Sequence, residues 1–314
     1  MIMGKIQKLF DYILHDPRAL MLAILVRVGI VVPDKLYLKW LFRLKMGYKL
    51  NLDNPQTFNE KLQWLKLYNR KPEYTTMVDK YEAKKYVSNI IGEEYIIPTI
   101  GVWDSIDDID WDSLPNQFVL KTTHGGGSSG VVICKDKSTF DYTSAKRRLR
   151  NSLKIDIYRL LREWPYKNVK KRIIAEVLMT EDKSLNNPDG DLIDYKFYCF
   201  NGVAMAVLIA TDRHSESGVC FDYFDKDFNH YPFEQGGSNS KKYIERPKYL
   251  NEMWEVAEKL SVGLPHVRVD LYCIQDHIYF GELTFFDSSG IAAFTPQDWD
   301  CIFGDWIDLP IVDK

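Results

Sequence analysis

The chain has 314 residues, of which 46% are hydrophobic and 27% charged, a composition typical of a soluble globular protein with two or three lobes. Its net charge of −3 excludes a global basic field and argues against nucleic acid as a partner. The five cysteines are well separated, without a Cys-x-x-Cys pair, which predicts reduced thiols in a cytoplasmic protein rather than disulfides or zinc ligands.

The N-terminal segment, Met1 to Leu44, combines cations with an apolar stretch, Ala19 to Val32, which Arg27 interrupts. This stretch is too short and too charged to span a bilayer, and no small-residue cleavage signature marks a secretory signal. Two interpretations stay open. A cationic amphipathic segment can lie on a membrane surface or against a partner, but a pair of helices packed on the protein's own core has the same pattern.

Two helices are predicted between residues 51 and 87, where apolar residues recur at helical spacing. The first begins after Thr57, because Thr57 and Glu60 have the spacing of a capping box. The second covers Thr75 to Val87 and contains Lys80.

A glycine-rich loop divides the stretch from Phe118 to Ile133, which reads Phe-Val-Leu-Lys-Thr-Thr-His-Gly-Gly-Gly-Ser-Ser-Gly-Val-Val-Ile. The apolar run at each end predicts a strand, and Lys121 lies near the end of the first. Glycines let backbone N–H groups approach phosphate oxygens closely, and a lysine supplies a point charge, so the stretch predicts a phosphate-binding lid. A flexible hairpin with an incidental lysine is the alternative.

Several further elements are predicted beyond this loop. Ser144 to Leu153 forms a basic helix whose cations face either solvent or an anionic substrate. Asn201-Gly202 matches a two-residue type I′ turn between the strands Leu192 to Phe200 and Val203 to Ala210. The remaining predicted elements are a strand over Arg172 to Met179, a strand over Val219 to Phe224 and a helix over Lys248 to Ser261.

A second chemical signature lies in a predicted hairpin, His266 to Ile274 and His277 to Phe286. Alternation places Arg268 and Asp270 on one face of the first strand, and Glu282 converges with Asp270 if the two faces coincide. Two carboxylates in one cleft repel unless a cation neutralises them, and magnesium prefers one or two carboxylates together with phosphate oxygens. Ion pairing of Arg268 with these carboxylates is the alternative.

Together these motifs resemble the ATP-grasp superfamily, and in particular its TupA-like branch, found in bacterial surface-polysaccharide and teichuronopeptide gene clusters. The resemblance runs from about Asn54 to Phe294 and implies an α+β (α/β) ATP-grasp fold, in which two lobes clasp ATP beside a helical N-terminal region. The implied boundaries are 1–75 for the helical region, 76–174 for the small lobe with the lid loop and 175–314 for the large lobe. The motifs that carry the resemblance are Thr57-Phe58-Asn59-Glu60-Lys61, Asp79-Lys80-Tyr81, Phe118-Val119-Leu120-Lys121, the loop from Gly125 to Gly130, Asp194-Tyr195-Lys196-Phe197, Arg268-Val269-Asp270-Leu271-Tyr272 and Gly281-Glu282-Leu283-Thr284.

The resemblance also implies roles for individual residues. Those implied to contact ATP are Lys80, Lys121, Gly125, Gly126, Gly127, Ser128, Ser129, Gly130, Glu176, Val177, Leu178, Glu181, Asp182 and Lys196. Those implied in catalysis are Lys121, Lys196 and Arg268. Those implied to bind magnesium are Asp270, Glu282 and Thr284.

The resemblance specifies four of these assignments further. Glu176 falls in a hinge strand whose backbone contacts the adenine, and Glu181 or Asp182 accepts hydrogen bonds from the ribose. Arg268 stabilises an acyl phosphate. Thr284 occupies the position where many members of the superfamily have asparagine, so a hydroxyl replaces the usual third ligand.

The implied reaction is the ATP-dependent joining of a carboxylate to an amine. The carboxylate attacks the γ-phosphate, which gives an acyl phosphate and releases ADP, and the amine then displaces phosphate from the acyl phosphate to form an amide. One or two magnesium ions are the implied cofactor beside ATP, with manganese as an alternative. The implied partners are a uronic-acid carboxylate, on a free sugar, a sugar nucleotide or a lipid-linked glycan, and an amino acid or small amine. The implied location is the cytoplasm, with the inner face of the membrane as an alternative.

Three other functions compete with this interpretation. Asp-x-Asp spacings at 110/112, 189/191 and 298/300 suit a glycosyltransferase that binds a metal and a nucleotide sugar. A kinase on the same fold would stop at phosphoryl transfer. A non-catalytic binding protein would not need the complete set of phosphate and metal residues.

Overall fold

The computed structural model describes residues 17–127, 130–180, 192–211 and 218–311. The nine α-helices within these ranges are α1 (Pro17–Val28), α2 (Asp34–Met46), α3 (Phe58–Tyr68), α4 (Glu73–Val78), α5 (Glu82–Ile91), α6 (Tyr142–Leu153), α7 (Ile157–Leu161), α8 (Leu250–Ser261) and α9 (Asp298–Asp305). The eleven strands within the same ranges are β1 (Thr99–Trp103), β2 (Phe118–Thr122), β3 (Val131–Cys134), β4 (Ile173–Val177), β5 (Tyr195–Phe200), β6 (Val203–Thr211), β7 (Cys220–Phe224), β8 (Glu234–Gln235), β9 (His266–Ile274), β10 (His277–Thr284) and β11 (Phe294–Thr295).

Two antiparallel sheets organise the chain, each with its own apolar core. The small sheet has the order β1-β4-β2-β3, and α6 packs on it through Ala145 and Leu149. The large sheet has the order β10-β9-β5-β6-β7, and α8 covers it with Trp254 and other buried apolar side chains. The strands β8 and β11 form a separate two-stranded sheet. Helices and antiparallel sheets occur together, which confirms the predicted α+β class.

The capping box predicted at the start of α3 is present. The hydroxyl of Thr57 accepts a hydrogen bond from the backbone N–H of Glu60, and the carboxylate of Glu60 accepts one from the backbone N–H of Thr57. These bonds satisfy N–H groups that the first turn of a helix leaves without partners. The prediction of a helix that begins after Thr57 is therefore confirmed.

The single helix predicted over Thr75 to Val87 is wrong, because the chain breaks there into α4 and α5. Asp79 has an extended backbone, and its carboxylate accepts hydrogen bonds from the N–H groups of Tyr81 and Glu82. A carboxylate that caps the next helix in this way competes with continued helical hydrogen bonding. The break leaves Lys80 outside both helices, where its backbone N–H donates to the carbonyl oxygen of Thr123.

Both predicted tight hairpins are confirmed. Asn201 and Gly202 have φ values of 50° and 86° between β5 and β6, and Gln275 and Asp276 have φ values of 50° and 63° between β9 and β10. Positive φ at both central residues is the signature of a type I′ turn, whose twist matches that of the paired strands. The two turns thereby set the pairing of β5 with β6 and of β9 with β10.

The implied lobe boundaries do not coincide with element ends. The boundary between residues 174 and 175 falls within β4, which pairs with β1 and β2 through Val177. Since a strand belongs to the sheet that satisfies its backbone, β4 belongs to the small sheet as far as its last residue, Val177. The boundary between residues 75 and 76 likewise falls within α4.

The N-terminal helices pack on the protein's own core, as one of the two interpretations predicted. Tyr37, Leu38, Leu41 and Phe42 of α2 are buried together with Leu25 of α1. No helix among the described residues is long and apolar enough to cross a membrane.

Candidate active site

A narrow cleft, too tight in this structure to admit a water molecule, lies where β2 ends and the glycine-rich loop begins. Its wall is formed by the ends of β2 and β3, the loop between them and the segment between α4 and α5. The residues that line it are Lys80, Lys121, Thr122, Gly125, Gly127, Gly130 and Val131. The predicted lid and two of the predicted phosphate-binding lysines therefore lie in the same cleft.

A buried carboxylate holds two lysines on the small lobe. Glu176 of β4 is 5% exposed, and its Oε2 lies 2.7 Å from Nζ of Lys121 on the neighbouring strand β2. Its other oxygen pairs with Lys84 of α5. Burial alone would raise the pKa of Glu176, but the two lysines outweigh burial and hold that pKa below its usual value. Glu176 is therefore ionised, and Lys121 is held in a fixed direction at the end of the cleft.

Lys80 connects the two lobes. Its backbone is hydrogen-bonded to Thr123 of the small lobe, and its side chain forms an ion pair with Glu282 on β10 of the large sheet. Burial alone would raise the pKa of Glu282, but Lys80 and Arg268 outweigh burial and lower that pKa to about 2. The carboxylate is therefore charged throughout the physiological pH range.

Three charged side chains form a row across the large sheet. Lys196 of β5 lies opposite Asp270 of β9, and Asp270 lies opposite Glu282 of β10. Nζ of Lys196 is 2.6 Å from Oδ2 of Asp270, which is 2% exposed. Residues opposite one another in adjacent strands project to the same face of the sheet. The convergence of Asp270 and Glu282, which the sequence left conditional, is present in the structure.

Arg268 joins the carboxylates of this row. Its Nε and Nη2 donate to both oxygens of Asp270 at 2.7 and 2.8 Å, a bidentate arrangement. Nη2 lies 3.6 Å from Oε1 of Glu282, and Nη1 pairs with Asp287. Burial alone would lower the pKa of Arg268, but Asp270 and Asp287 raise it well above its usual value. A permanently charged guanidinium therefore lies among three carboxylates.

A β-bulge at Gly281 turns Glu282 toward Asp270. Leu271 pairs with Phe280, but Asp270 pairs with Glu282, so Gly281 is the extra residue. Without this extra residue, Glu282 would lie opposite Val269 and project to the other face of the sheet. The bulge was not predicted from the sequence, where the glycine immediately before the acidic residue was the available signal.

Replacing Gly281 with alanine should lower the free energy of unfolding by about 1–3 kcal/mol. The added Cβ would lie 2.9 Å from the backbone oxygen of Asp270 and 3.1 Å from Cε2 of Tyr272, so the bulge must move. Urea denaturation measures the loss. Gly126→Ala is the matched control, because a Cβ there would meet only Cδ1 of Ile157, at 3.8 Å. Equal stabilities for the two variants would show that the bulge accommodates a side chain.

The glycine positions of the lid loop differ in whether a larger side chain would fit. A Cβ at Gly125 would lie 2.6 Å from Oγ1 of Thr122, and one at Gly130 would collide with Ser152, so both positions need glycine for packing at the base of the loop. Gly127 has φ +61° and would have nothing within 4 Å of a Cβ. Gly126 lies between Gly125 and Gly127 in the same loop. Ser128 and Ser129, which were also implied to contact ATP, lie outside the described residues.

The implied adenine hinge is at the end of β4. The backbone N–H of Val177 donates to the carbonyl oxygen of Pro98, so this N–H group is already used within the small lobe. Leu178 is the first residue after the strand. The implied ribose partners, Glu181 and Asp182, lie outside the described residues.

Thr284 lies beside the acidic pair. Its hydroxyl accepts from Nη2 of Arg268 at 3.2 Å and donates to Oε1 of Glu282 at 3.4 Å. Within the ranges that the structure describes, no group of three or more histidine, cysteine or acidic side chains is placed to hold a metal ion. A metal ion here would have Asp270 and Glu282 as its protein carboxylates and would need phosphate oxygens to complete its coordination, which is the donor set that magnesium prefers.

Two functional neighbours of the site were not predicted from the sequence. Lys84 lies within the second predicted helix without a predicted role, and its pairing with Glu176 depends on a strand more than ninety positions further along the chain. Asp287, the partner of Arg268, is followed by Ser288 and Ser289, which have φ values of 46° and 56°. The polar run directly after an apolar strand was the available signal for this turn.

A buried network supports the turn that contains Asp287. Lys66 of α3 is fully buried, and its Nζ lies 2.7 Å from the hydroxyl and 2.8 Å from the carbonyl oxygen of Ser289. Burial, only partly offset by Glu163, lowers the pKa of Lys66 to about 8. This network fixes the position from which Asp287 reaches Arg268.

Comparison with known proteins identifies relatives of this site and fold. Residues 60–308, most of the chain, match the family model described as TupA-like ATPgrasp. A comparison with curated protein sequences found no significant match.

Solved structures of similar fold include a D-alanine–D-alanine ligase from Helicobacter pylori, at 14% identity and a TM-score of 0.43 over 80% of this chain and 69% of that chain. They also include the D-alanine–D-alanine ligase from Bacillus anthracis complexed with ATP, at 15% identity and a TM-score of 0.37 over 67% of this chain and 54% of that chain. A third is the ATP-grasp ligase PsnB complexed with its minimal precursor, Mg and ADP, at 11% identity and a TM-score of 0.38 over 72% of this chain and 57% of that chain. The chain thus spans little more than half the length of two of these three proteins.

The family match confirms the predicted family and the predicted ATP-grasp fold. The family match also supports ATP binding and the predicted enzyme class, an ATP-dependent carboxylate–amine ligase. The likeness to individual solved structures is too distant to carry their substrates over to this chain.

Proposed function

Because the chain belongs to the TupA-like ATP-grasp family, we propose that it joins a uronic-acid carboxylate to an amine in surface-polysaccharide biosynthesis, through an acyl phosphate. The observation that supports this proposal is the row of Lys196, Asp270 and Glu282, with Arg268 beside it and with Lys80 and Lys121 at the neighbouring cleft. Such a site offers cations and acidic oxygens for phosphoryl transfer rather than a protein nucleophile.

The lysines would bind the phosphates. Lys80 and Lys121 line the cleft below the lid loop, and Lys196 reaches the same acidic row from β5. Each ammonium group is already held in one direction by a carboxylate. Little side-chain entropy is therefore lost when a phosphate oxygen replaces that carboxylate as its partner. Fixed cations at the transferred group stabilise the charge that develops there.

Asp270 and Glu282 would hold magnesium, or manganese as an alternative, together with phosphate oxygens. When bound, such an ion neutralises charge on the phosphates and orients them. The two carboxylates suit this ion because they lie opposite each other and each already forms an ion pair with a cation. Thr284 would position Glu282 through its hydroxyl rather than replace the asparagine of other members as a direct ligand.

Arg268 would stabilise the acyl phosphate and its collapse to the amide. Its guanidinium is 12% exposed and is fixed on two sides by Asp270 and Asp287. A planar donor held in this way is suited to an anionic transition state, because no reorganisation is needed when the charge develops. The carboxylate substrate would then approach from the side of the cleft that Arg268 faces.

The glycosyltransferase alternative has less support. Asp110 accepts hydrogen bonds from the backbone N–H groups of Asp112 and Ser113, which is a local turn. Asp300 is buried and accepts from the backbone of Asn59. Aspartates used in this way cap helices and turns rather than form a metal site, and the pair at 189/191 lies outside the described residues.

A thermal-shift series with ATP, ADP, UDP and a UDP-uronic acid, each with and without magnesium, tests the proposal. We expect stabilisation by ATP that depends on magnesium, because nucleotide binding to the native state raises the melting temperature. ADP release should then require both a uronic-acid carboxylate and an amine. A stable phosphorylated product formed without amine would instead identify a kinase. Stabilisation by UDP-sugars without any magnesium-dependent ATP effect would contradict the ligase and support the glycosyltransferase.

A further inference from the structure

The outward side of the two N-terminal helices carries an unusual concentration of exposed apolar side chains. Of the seventeen large hydrophobic side chains that are exposed in the described part of the chain, seven lie between residues 21 and 40. They include Ile30 and Val31, which are 71% and 80% exposed. The seven, called the apolar face below, are Met21, Ile24, Val28, Ile30, Val31, Leu36 and Trp40.

Helical geometry separates the apolar face from the side that packs on the core. With 100° per residue, Met21, Ile24 and Val28 fall within roughly 60° of arc on α1. On α2, Leu36 and Trp40 share roughly 140° of arc with Lys35, Lys39 and Arg43. These residues of α2 are all exposed. The opposite arc of α2 holds its four buried side chains, so the core does not use the apolar face.

Polar contacts fix the two helices to the rest of the protein. Asp34, the first residue of α2, pairs with Arg70 at 2.7 Å and with Arg162 at 2.9 Å, and it accepts a hydrogen bond from the hydroxyl of Tyr158 at 2.7 Å. The guanidinium of Arg162 stacks 3.9 Å above the ring of Tyr37. The apolar face is therefore presented to the outside by an anchored element.

Exposed cations accompany the apolar face along the chain. Between residues 17 and 50 the sequence has seven cations and one carboxylate, Asp34, although the whole chain has a net charge of −3. Asp34 is already paired with two arginines. The cations are all exposed, and they are Arg18, Arg27, Lys35, Lys39, Arg43, Lys45 and Lys49.

We propose that this surface docks the protein on an anionic phospholipid bilayer. A bilayer offers phosphate charge at its surface and hydrocarbon beneath, so it can bind the exposed cations and the exposed apolar side chains of these helices together. A second copy of the chain would bring like charges together, and a nucleic acid would leave the apolar side chains in contact with water. The proposal goes beyond the ligase activity and does not depend on it.

Co-sedimentation of the full chain with vesicles tests the proposal. We expect the protein to pellet with vesicles of phosphatidylcholine and phosphatidylglycerol, to remain in solution with phosphatidylcholine alone, and to be released by high salt. Lys35→Glu/Lys39→Glu should weaken binding by more than about tenfold, since each cation near an anionic surface contributes severalfold to affinity. Ile30→Ser/Val31→Ser/Trp40→Ser should weaken binding at low salt as well, because the apolar contribution to bilayer binding is lost.

Two matched variants control for general effects of charge and polarity. They replace exposed residues elsewhere on the surface and are Lys226→Glu/Lys241→Glu and Tyr243→Ser/Val262→Ser. Both controls should bind vesicles as the unaltered chain does, and all four variants should keep the melting temperature.

Two results would overturn the proposal. One is an unaltered chain that stays in solution with both kinds of vesicle. The other is a chain that forms dimers in sedimentation velocity and loses them in Ile30→Ser/Val31→Ser/Trp40→Ser without any vesicle binding, because the apolar face would then be an interface between copies. Unchanged magnesium-dependent ATP binding in all four variants would separate this proposal from the proposed function.

Discussion

Replacing Asp270 with asparagine should abolish the magnesium dependence of ATP binding and lower ADP release by at least about a hundredfold. Asp270 is one of two carboxylates that face each other in the large sheet, and the amide of asparagine would leave one negatively charged ligand for the ion. Calorimetric titration of ATP at increasing magnesium concentrations measures the first effect. A coupled assay of ADP, with a uronic acid and an amine present, measures the second.

Glu282→Gln and Asp276→Asn make the Asp270 experiment decisive. Asp270 also neutralises Arg268 and Lys196, so circular dichroism must show that Asp270→Asn is folded. Glu282→Gln is a second test of the same site, because its carboxylate is 30% exposed and its loss disturbs packing less. Asp276→Asn lies on the turn of the same hairpin, where its partner is the exposed Lys248, and it should bind ATP normally. Retained magnesium dependence in both site variants would rule out this metal site.

Replacing Arg268 with methionine should lower the free energy of unfolding by about 3–5 kcal/mol, the usual loss when one partner of a buried ion pair is removed. Asp270 and Asp287, which are 2% and 7% exposed in their side chains, would lose the guanidinium that neutralises them. Chemical denaturation with urea measures the change. The same variant should lose ADP release even where it remains folded, because the cation at the reacting group is absent.

Arg150→Met is the control for the loss of an arginine. Arg150 pairs with Asp107 at 3.2 Å, but the two side chains are 55% and 77% exposed, so the expected loss is below about 1 kcal/mol. Arg268→Lys should lose an amount of unfolding free energy between those of Arg268→Met and Arg150→Met, since a lysine keeps the charge but not the bidentate donors. If Arg268→Met were no less stable than Arg150→Met, Arg268 would not be what neutralises the acidic row.

Local signals in the sequence identified much of the fold. Asn201-Gly202 predicts the turn between β5 and β6 because both residues tolerate positive φ, and the structure has that turn. Thr57 and Glu60 likewise predict the start of α3, because a capping box is a contact between residues three positions apart. Such signals can be recognised in the sequence because all the participating groups lie within a few residues of one another.

The elements that position the site depend on contacts between distant residues, and these were predicted less well. The residues on both sides of Asp79 have helical spacing, so the helix break between them is not visible in the pattern. The break is stabilised by Arg172 of the small lobe, whose Nη2 lies 2.8 Å from the carboxylate of Asp79. The bulge at Gly281 depends on the register of a strand pair. Periodicity cannot reveal either feature, because periodicity describes one element at a time.

The pairing of each site lysine with a particular carboxylate was also beyond the sequence. Lys121 and Glu176 are 55 positions apart and meet because β2 and β4 are neighbours in the small sheet. Lys80 and Glu282 belong to different lobes. The residue types suggested a phosphate and metal site, but which charge meets which follows from the order of the strands.

The lysine–carboxylate pairs of the cleft have a consequence for the order in which ligands enter. Each lysine expected to meet a phosphate now meets a carboxylate, and Glu282, expected to meet a metal ion, now meets Lys80. A triphosphate alone would take Lys80 from Glu282 and leave that carboxylate without its closest cation, and a metal ion alone would displace Lys80 without offering it an anion. Supplied together, the two ligands exchange partners with the protein and every charge stays neutralised. A site that binds both ligands as proposed would therefore favour the metal–nucleotide complex as one unit over either ligand entering first.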